Sequence, residues 1–300
     1  MYVYMEKKYI VYASDLKYKS LRNIDPKKAI WHTEEVKRSY YNDKHDTIEF
    51  RLNECEKNNF NCLDFAYLDL EKLDINLLKK WKHYKYLGDI KILCLNNNKI
   101  KKIDEELTIF KKLEILDISN NELEQLNYLP PKLIELSCID NKIIDLPSHD
   151  NLLRLTISNN QLTSISNYPK LTHLHCDNNK IRMISSYDKL CYLICQNNKL
   201  VSIGDLLNLT YLDCSDNKYL SKVSSMPKLI YLICNNTKIN DCSKFPVIKS
   251  IEFGNSEIKK IPYIDTLEIL LFKNNQNIVL SSKYKIQEHV CEHNNICLRF

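Results

Sequence analysis

From residue 90 onward a single pattern, L-x-x-L-x-[LIFC]-x-x-[NTS]-x-[ILY], recurs until almost the end of the chain. Its opening residues are Ile90, Leu113, Leu133, Leu152, Leu171, Leu190, Leu209, Leu229, Ile248 and Leu267, so the period is 19 or 20 residues after a first unit of 23. A fixed period of this size means that each unit is one supersecondary element stacked on the next. The fourth position carries Leu93, Leu116, Leu136, Leu155, Leu174, Leu193, Leu212, Leu232, Ile251 and Leu270. At the sixth stand Leu95, Ile118, Cys138, Ile157, Cys176, Cys195, Cys214, Cys234, Phe253 and Phe272. Alternation at period two marks a short strand with one buried face. The ninth position reads Asn98, Asn121, Asn141, Asn160, Asn179, Asn198, Asn217, Thr237, Ser256 and Asn275.

One such strand cannot bury its apolar face alone, so the coils stack with their strands parallel and about 4.8 Å apart, and the leucines form one continuous core. An inward asparagine has both donor and acceptor for the backbone groups of its own and the neighbouring coil. Leaving such groups unpaired costs about 1–3 kcal/mol each. Thr237 and Ser256 retain a hydroxyl there, and the ladder is expected to be shortened at these coils rather than broken. About eight residues remain for the return path, too few for a helix with two turns, so that side is expected to be extended or 3-10. Pro131, Pro169, Pro227 and Pro246, each two residues before an opening apolar residue, suit an irregular segment. In the longer first unit, Asp104-Glu105-Glu106-Leu107 is expected to cap and start one helical turn.

Upstream, Phe65, Leu68, Leu70, Leu73 and Ile75 repeat the spacing with Leu73 in place of asparagine, a degenerate opening coil. Helix-compatible composition spans 26–41 after Asp25-Pro26, and again 47–58. A solenoid's open end exposes core, so a helical amino-terminal cap is expected over 1–64, the array over 65–278 and a second cap over 279–300. Residues 1–24 read either as a strand pair or as a separate small element. In the last segment His289, Cys291, His293 and Cys297 have zinc-ligating chemistry, but H-x-C-x-H-x3-C fits no common closed site. A capping strand with alternating Val290, Ile296 and Leu298 explains the segment more simply.

Composition narrows the function. With only three glycines, Gly88, Gly204 and Gly254, no segment supplies a glycine-rich phosphate loop. The 43 Lys and Arg against 38 Asp and Glu are interspersed along the chain, which argues against nucleic acid as a partner. The opening MYVYMEKKYI lacks the apolar run of an export signal, and no window reaches the roughly 18 apolar residues of a spanning helix. A cytoplasmic, membrane-free and monomeric protein is therefore expected, its 12 cysteines reduced and mostly buried in the core. Disulfides between stacked Cys176, Cys195 and Cys214 are opposed by their parallel Cβ directions.

Ten consecutive matches to this motif resemble the leucine-rich repeat superfamily over about residues 65–278. That resemblance implies an α/β solenoid, a horseshoe with a parallel concave sheet, an extended or 3-10 convex side and a helical amino-terminal cap. The short units with proline in the return segment, as in Tyr128-Leu129-Pro130-Pro131-Lys132-Leu133, and the helical stretch before Ala66-Tyr67-Leu68-Asp69-Leu70, are similar to bacterial effector proteins of this type. Some of those carry a carboxy-terminal ubiquitin ligase domain. Only 23 residues follow Asn277 here, and that activity is not expected. The abundance of Asn, Ile, Lys and Tyr also resembles leucine-rich repeat proteins of giant DNA viruses such as mimiviruses. For an effector or a viral protein, the compartment is the host cytoplasm.

On a parallel face, equivalent positions of successive coils form columns. The third position gives Arg154, His173, Tyr192, Tyr211 and Tyr231, and the fifth gives Thr156, His175, Ile194, Asp213 and Ile233. Tyrosine and arginine with exposed isoleucine form the kind of patch that marks a partner site, although tyrosine also favours strands for its own sake. The expected function is a non-enzymatic scaffold that binds a protein ligand on this face without a cofactor. One alternative is an adaptor whose residues 1–62 recruit cellular machinery such as a ubiquitin ligase. The other is a metal-dependent enzyme built on His173 and His175 with Cys191 or Asp213, for which no orienting third group is evident.

Overall fold

The computed structural model describes residues 47–275, 278–292 and 295–300. The segments 1–24 and 26–41, together with His293 and the side chains of His289 and Cys291, lie outside the described residues.

Helix α1 (Ile48–Lys57) opens the described chain, its first turn closed by Thr47, whose hydroxyl accepts from Phe50 N at 3.2 Å. It is followed by β1 (Cys62–Asp64), the short helix α2 (Ile75–Lys80), a 3-10 turn at Tyr84–Asp89, and β2 (Ile92–Cys94). The array continues with β3 (Ile115–Asp117), β4 (Glu135–Ser137), β5 (Arg154–Thr156), β6 (His173–His175), β7 (Met183–Ile184), β8 (Tyr192–Ile194) and β9 (Ser202–Ile203). Then come β10 (Tyr211–Asp213), β11 (Lys222–Val223), β12 (Tyr231–Ile233), β13 (Ser250–Gly254), β14 (Lys260–Ile261) and β15 (Ile269–Lys273). After β16 (Val279–Leu280), β17 (Glu288–Glu292) and β18 (Asn295–Arg299) close the chain.

Thirteen strands form one sheet in the order β1-β2-β3-β4-β5-β6-β8-β10-β12-β13-β15-β18-β17, parallel as far as β15. Fourth-position residues face one another in register, as Leu155, Leu174, Leu193 and Leu212 do, and all are buried in a single continuous core. β18 returns antiparallel along β15, with Leu298 opposite Leu270 and Ile296 opposite Phe272, so the carboxy-terminal end is capped by a hairpin. Behind the long sheet, β7, β9 and β11 form a three-stranded sheet and β14 pairs with β16. The return side is thus extended, with a 3-10 turn at Glu105–Ile109.

The ninth-position asparagines from Asn98 to Asn217 close their turns in the same way, whereas Asn275 bonds only Ser256 and Ile258 of the preceding coil. Asn179 Nδ2 donates to the carbonyls of Ile157 (3.0 Å), Cys176 (3.2 Å) and Asp177 (3.1 Å), while its Oδ1 accepts from Leu162 N at 3.0 Å. Two of those partners belong to the preceding coil, so every amide is a rivet between neighbours. The prolines lie at the second position of tight turns closed by Leu133 N to Pro130 O, Leu171 N to Tyr168 O, Leu229 N to Met226 O and Ile248 N to Phe245 O. A preset φ and a missing N–H cost nothing there.

Several expectations need correction. β1 pairs with β2 so that Leu63 faces Leu93, which makes Phe60, Leu63 and Phe65 the first, fourth and sixth positions of the opening coil. The coil begins five residues before Phe65, and Leu68 stands where later coils have asparagine; Asn98 reaches back to Phe65 O, Leu68 N and Leu70 N. Asp104 does not cap the turn at Glu105–Ile109, because its carboxylate accepts from Asn127 N and Nδ2 of the next coil. The eleventh, apolar position of the unit opening at Leu209 falls on Tyr219, yet Tyr219 is 53% exposed and Leu220 fills the core, so the extra residue of that 20-residue unit is extruded. Thr237 Oγ1 bonds only Cys234 O of its own coil, which interrupts the amide ladder at that coil.

A second rule went unread in the sequence. The residue before each ninth position has a left-handed backbone: Asn97, Asn120, Asp140, Asn159, Asn178, Asn197, Asp216, Asn236, Asn255 and Asn274 all have φ between 49° and 59°. Asparagine and aspartate tolerate that region better than other side-chain-bearing residues. This is how a chain with three glycines makes ten such turns, none of them on glycine.

Two outcomes follow from this packing. Asn179→Ala removes one bond from each of three carbonyls that keep other donors and leaves Leu162 N without its acceptor, and is expected to lower unfolding free energy by about 2–4 kcal/mol in urea titration. The thiols of Cys138, Cys176, Cys195, Cys214 and Cys234 are fully buried and free, and burial pushes each well above its ordinary range. Under native conditions an alkylating reagent should label the half-exposed Cys62 and Cys191 and reach these five only on unfolding. Rapid native labelling of the five would contradict the packed core.

Candidate functional site

Parallel pairing brings the predicted columns together. Arg154, His173, Tyr192, Tyr211 and Tyr231 face one another across β5, β6, β8, β10 and β12, and Thr156, His175, Ile194, Asp213 and Ile233 do the same two residues on. With the fourth position turned inward, both columns stand on the outer face of the long sheet.

The tyrosines are more than neighbours. Tyr192 and Tyr211 stack with ring centroids 4.4 Å apart and planes 9° from parallel. On the other side, Tyr192 meets both imidazoles, His173 at 5.9 Å and His175 at 5.3 Å. Tyr231 is tilted 42° to Tyr211 at 6.4 Å and is 48% exposed, the open end of the row. The remaining aromatics and Asp213 are half-buried, and Ile194 is buried at 9% exposure. The isoleucines therefore do not both stand in solvent: Ile194 is buried between His175 and Asp213 of the neighbouring strands.

The columns extend beyond the residues the sequence singled out. Glu135 precedes Arg154 at the third position and pairs with it at 3.4 Å, while Ser250 and Glu252 follow Tyr231 and Ile233. The same repeat position would have found them. Glu252 Oε1 accepts from Asn235 Nδ2 at 3.0 Å, and Asp213 accepts from Ser215 N at 3.1 Å.

Burial governs the electrostatics here. It holds His173 down to about 4, with the Arg154 guanidinium and His175 adding to the effect, and it holds His175 down to about 4 as well. Both rings are neutral at pH 7. Asp213 is pushed up, chiefly by burial and further by Glu252 and Asp177. Tyr211 is pushed up to about 12, first by burial and then by Asp213. Burial likewise raises Tyr192, whose hydroxyl is enclosed without a hydrogen-bond partner.

The metal-centre alternative gains nothing from this geometry. Among the described residues, no group of three or more His, Cys, Asp or Glu side chains converges to hold an ion. His173 is instead engaged through Nδ1 with Thr172 Oγ1 at 2.9 Å. No described helix is long and apolar enough to cross a membrane.

Neutral histidines give a pH signature. In the unfolded chain they protonate near 6.5 and in the folded one near 4, so the unfolded state binds more protons in this window. Stability should fall as pH drops from 6.5 to about 4, by at most about 3 kcal/mol per histidine. Asp213 acts with the opposite sign, its raised affinity for a proton offsetting part of the loss near the bottom of that range. The double variant His173→Gln/His175→Gln should flatten the slope in urea midpoints measured across this range. An unchanged slope would mean that the rings are charged when folded.

No family model matches the chain. Among solved structures, it is similar to the leucine-rich repeat domain of APL1, at 18% identity and a TM-score of 0.54, over 78% of this chain and 64% of that one. It is similar to a chain of the LRIM1/APL1C complex at 17% identity and a TM-score of 0.54, over 78% of this chain and 45% of that one. A third likeness, to YopM from Yersinia enterocolitica WA-314, has 18% identity and a TM-score of 0.46, over 81% of this chain and 62% of that one. The chain spans less than two thirds of each of these three. At such identities the likeness to the first two concerns architecture, and it agrees with the stacked coils and the parallel sheet: this chain has the leucine-rich repeat fold.

Proposed function

We propose that the protein is a non-enzymatic interaction scaffold and that the outer face of the long sheet, the concave face expected from the sequence, receives a protein ligand over Arg154, His173, His175, Tyr192, Ile194, Tyr211, Asp213, Tyr231 and Ile233. The observation that carries this reading is the aromatic row itself. Rings already stacked at 4.4 Å have surrendered their rotamer freedom, so a partner gains their contact area without ordering them. Tyr231, half out of the row, supplies the uncovered ring face. Neutral imidazoles and a shielded Asp213 make the surface nearly uncharged at its centre and polar at its edges, which is the usual anatomy of a binding patch.

The test separates binding from stability. Tyr231→Ala should leave the unfolding midpoint within about 0.5 kcal/mol of wild type, whereas Tyr192→Ala should lower it by about 1–2 kcal/mol through loss of the stack. Tyr192→Phe keeps the stack and removes the unpartnered hydroxyl, and should be at least as stable as wild type. In affinity capture from native extract, a polypeptide retained by wild type and by Tyr192→Phe should be lost with Tyr231→Ala. If the folded Tyr231→Ala and Tyr211→Ala variants retain the same polypeptides as wild type, the ligand does not bind on this face.

A further inference from the structure

The coil register sorts side chains on a second surface as well, the flank that follows the asparagine column. At the tenth repeat position lie Lys180, Lys199, Lys218 and Lys238, one per coil in four successive coils, and beside them Arg182 and Lys222. All six are exposed. Among the described residues none of the six has an ion-pair partner: Lys180 Nζ donates to the neutral Gln161 Oε1 at 3.1 Å, Lys218 lies over the Tyr219 ring at 4.9 Å, and the others have no side-chain bond there. In the linear sequence these cations are 19 or 20 residues apart and read as interspersed; stacking sets neighbouring coils about 4.8 Å apart.

The same coils carry exposed apolar side chains among the cations. Met183 is 55% exposed, Val201 47% and Tyr219 53%. Met183 begins β7, Val201 immediately precedes β9, and Tyr219 is the residue that the longer unit extrudes, so the three surround the small sheet in which Met183 faces Ser202 and Ser202 faces Lys222. The nearby carboxylates are Asp216, which accepts from Asn236 Nδ2, Asp241, which accepts from Ser243, and the exposed Glu257, which ends the lysine column at the tenth position of the next coil.

We propose that this flank is a docking surface for an anionic lipid bilayer, with the six cations on the headgroups and Met183, Val201 and Tyr219 entering the interfacial layer. Juxtaposed charge and protruding apolar side chains are what a membrane surface selects. A nucleic acid strand would be held by stacking on several rings, and this flank has one. The surface is independent of the aromatic row, so it stands whether or not that face binds a protein.

Co-sedimentation of the full chain with vesicles tests it. Phosphatidylcholine vesicles containing about 30% phosphatidylserine should bind the protein at about 0.1 M salt, with binding weakened by added salt, and phosphatidylcholine alone should not. Lys199→Gln/Lys218→Gln/Lys238→Gln should weaken binding about 100-fold, at about fivefold per charge removed. Met183→Ser/Val201→Ser/Tyr219→Ser should abolish the part of the binding that survives high salt. Tyr231→Ala should bind vesicles as wild type does, which keeps this result distinct from that of the aromatic face. Each variant is checked by its far-ultraviolet spectrum and unfolding midpoint. The proposal is overturned by equal binding to the two vesicle types, by no binding to either, by a folded lysine triple variant that binds like wild type, or by tighter binding of poly-glutamate or an oligonucleotide through these lysines.

Discussion

The inward amide at the ninth position is the interaction on which the rest of this molecule depends. A coil of 19 residues must reverse direction within its own radius, which leaves carbonyls and N–H groups pointing into an apolar core with no strand to satisfy them. One asparagine side chain answers two or three carbonyls and one N–H at once, and because its partners come from two coils it fixes their relative register as it does so. Register is what turns ten short strands into a sheet, and the sheet is what aligns the outer side chains.

The strand positions, the amide column and the turn prolines were legible because each follows from local chemistry repeated many times. What escaped was what a single sequence cannot weigh locally. Phe65, Leu68, Leu70, Leu73 and Ile75 match the spacing by themselves, yet the strand forms at Cys62–Asp64, since pairing to β2 and the reach of Asn98 decide the register there. Tyr219 fits the eleventh position by count, but the extra residue of that unit is extruded so that Leu220 keeps the core filled. Asp104 looked like a cap and instead bridges coils, a bond to Asn127 that lies 23 residues away and is invisible to a local rule.

The columns on the outer face were equally legible, but their energetics were not. Sequence alone treats tyrosines in a row as exposed, whereas two of the three stack and are half-buried, and Ile194 is buried. Desolvation then sets the charge state, making both histidines neutral and leaving the Tyr192 hydroxyl without a partner. An enclosed unpartnered hydroxyl costs about 1–3 kcal/mol, a loss that the rings offset by stacking on both faces of Tyr192.

Two surfaces of unlike character arise from one period because the repeat acts on each position separately. The third and fifth positions accumulate aromatic and acidic groups while the tenth accumulates lysine, and no contact between the two is needed for either to form. The arrangement also explains where the period is allowed to vary. An extra residue after Asn217 enters the turn beyond the amide, where Tyr219 bulges outward and both columns keep their alignment. The same insertion within β10 would turn Leu212 outward and Tyr211 or Asp213 into the core, because strand side chains alternate with period two. Length variation is therefore confined to the return path, and the strand face is held invariant in spacing while its side chains remain open to change.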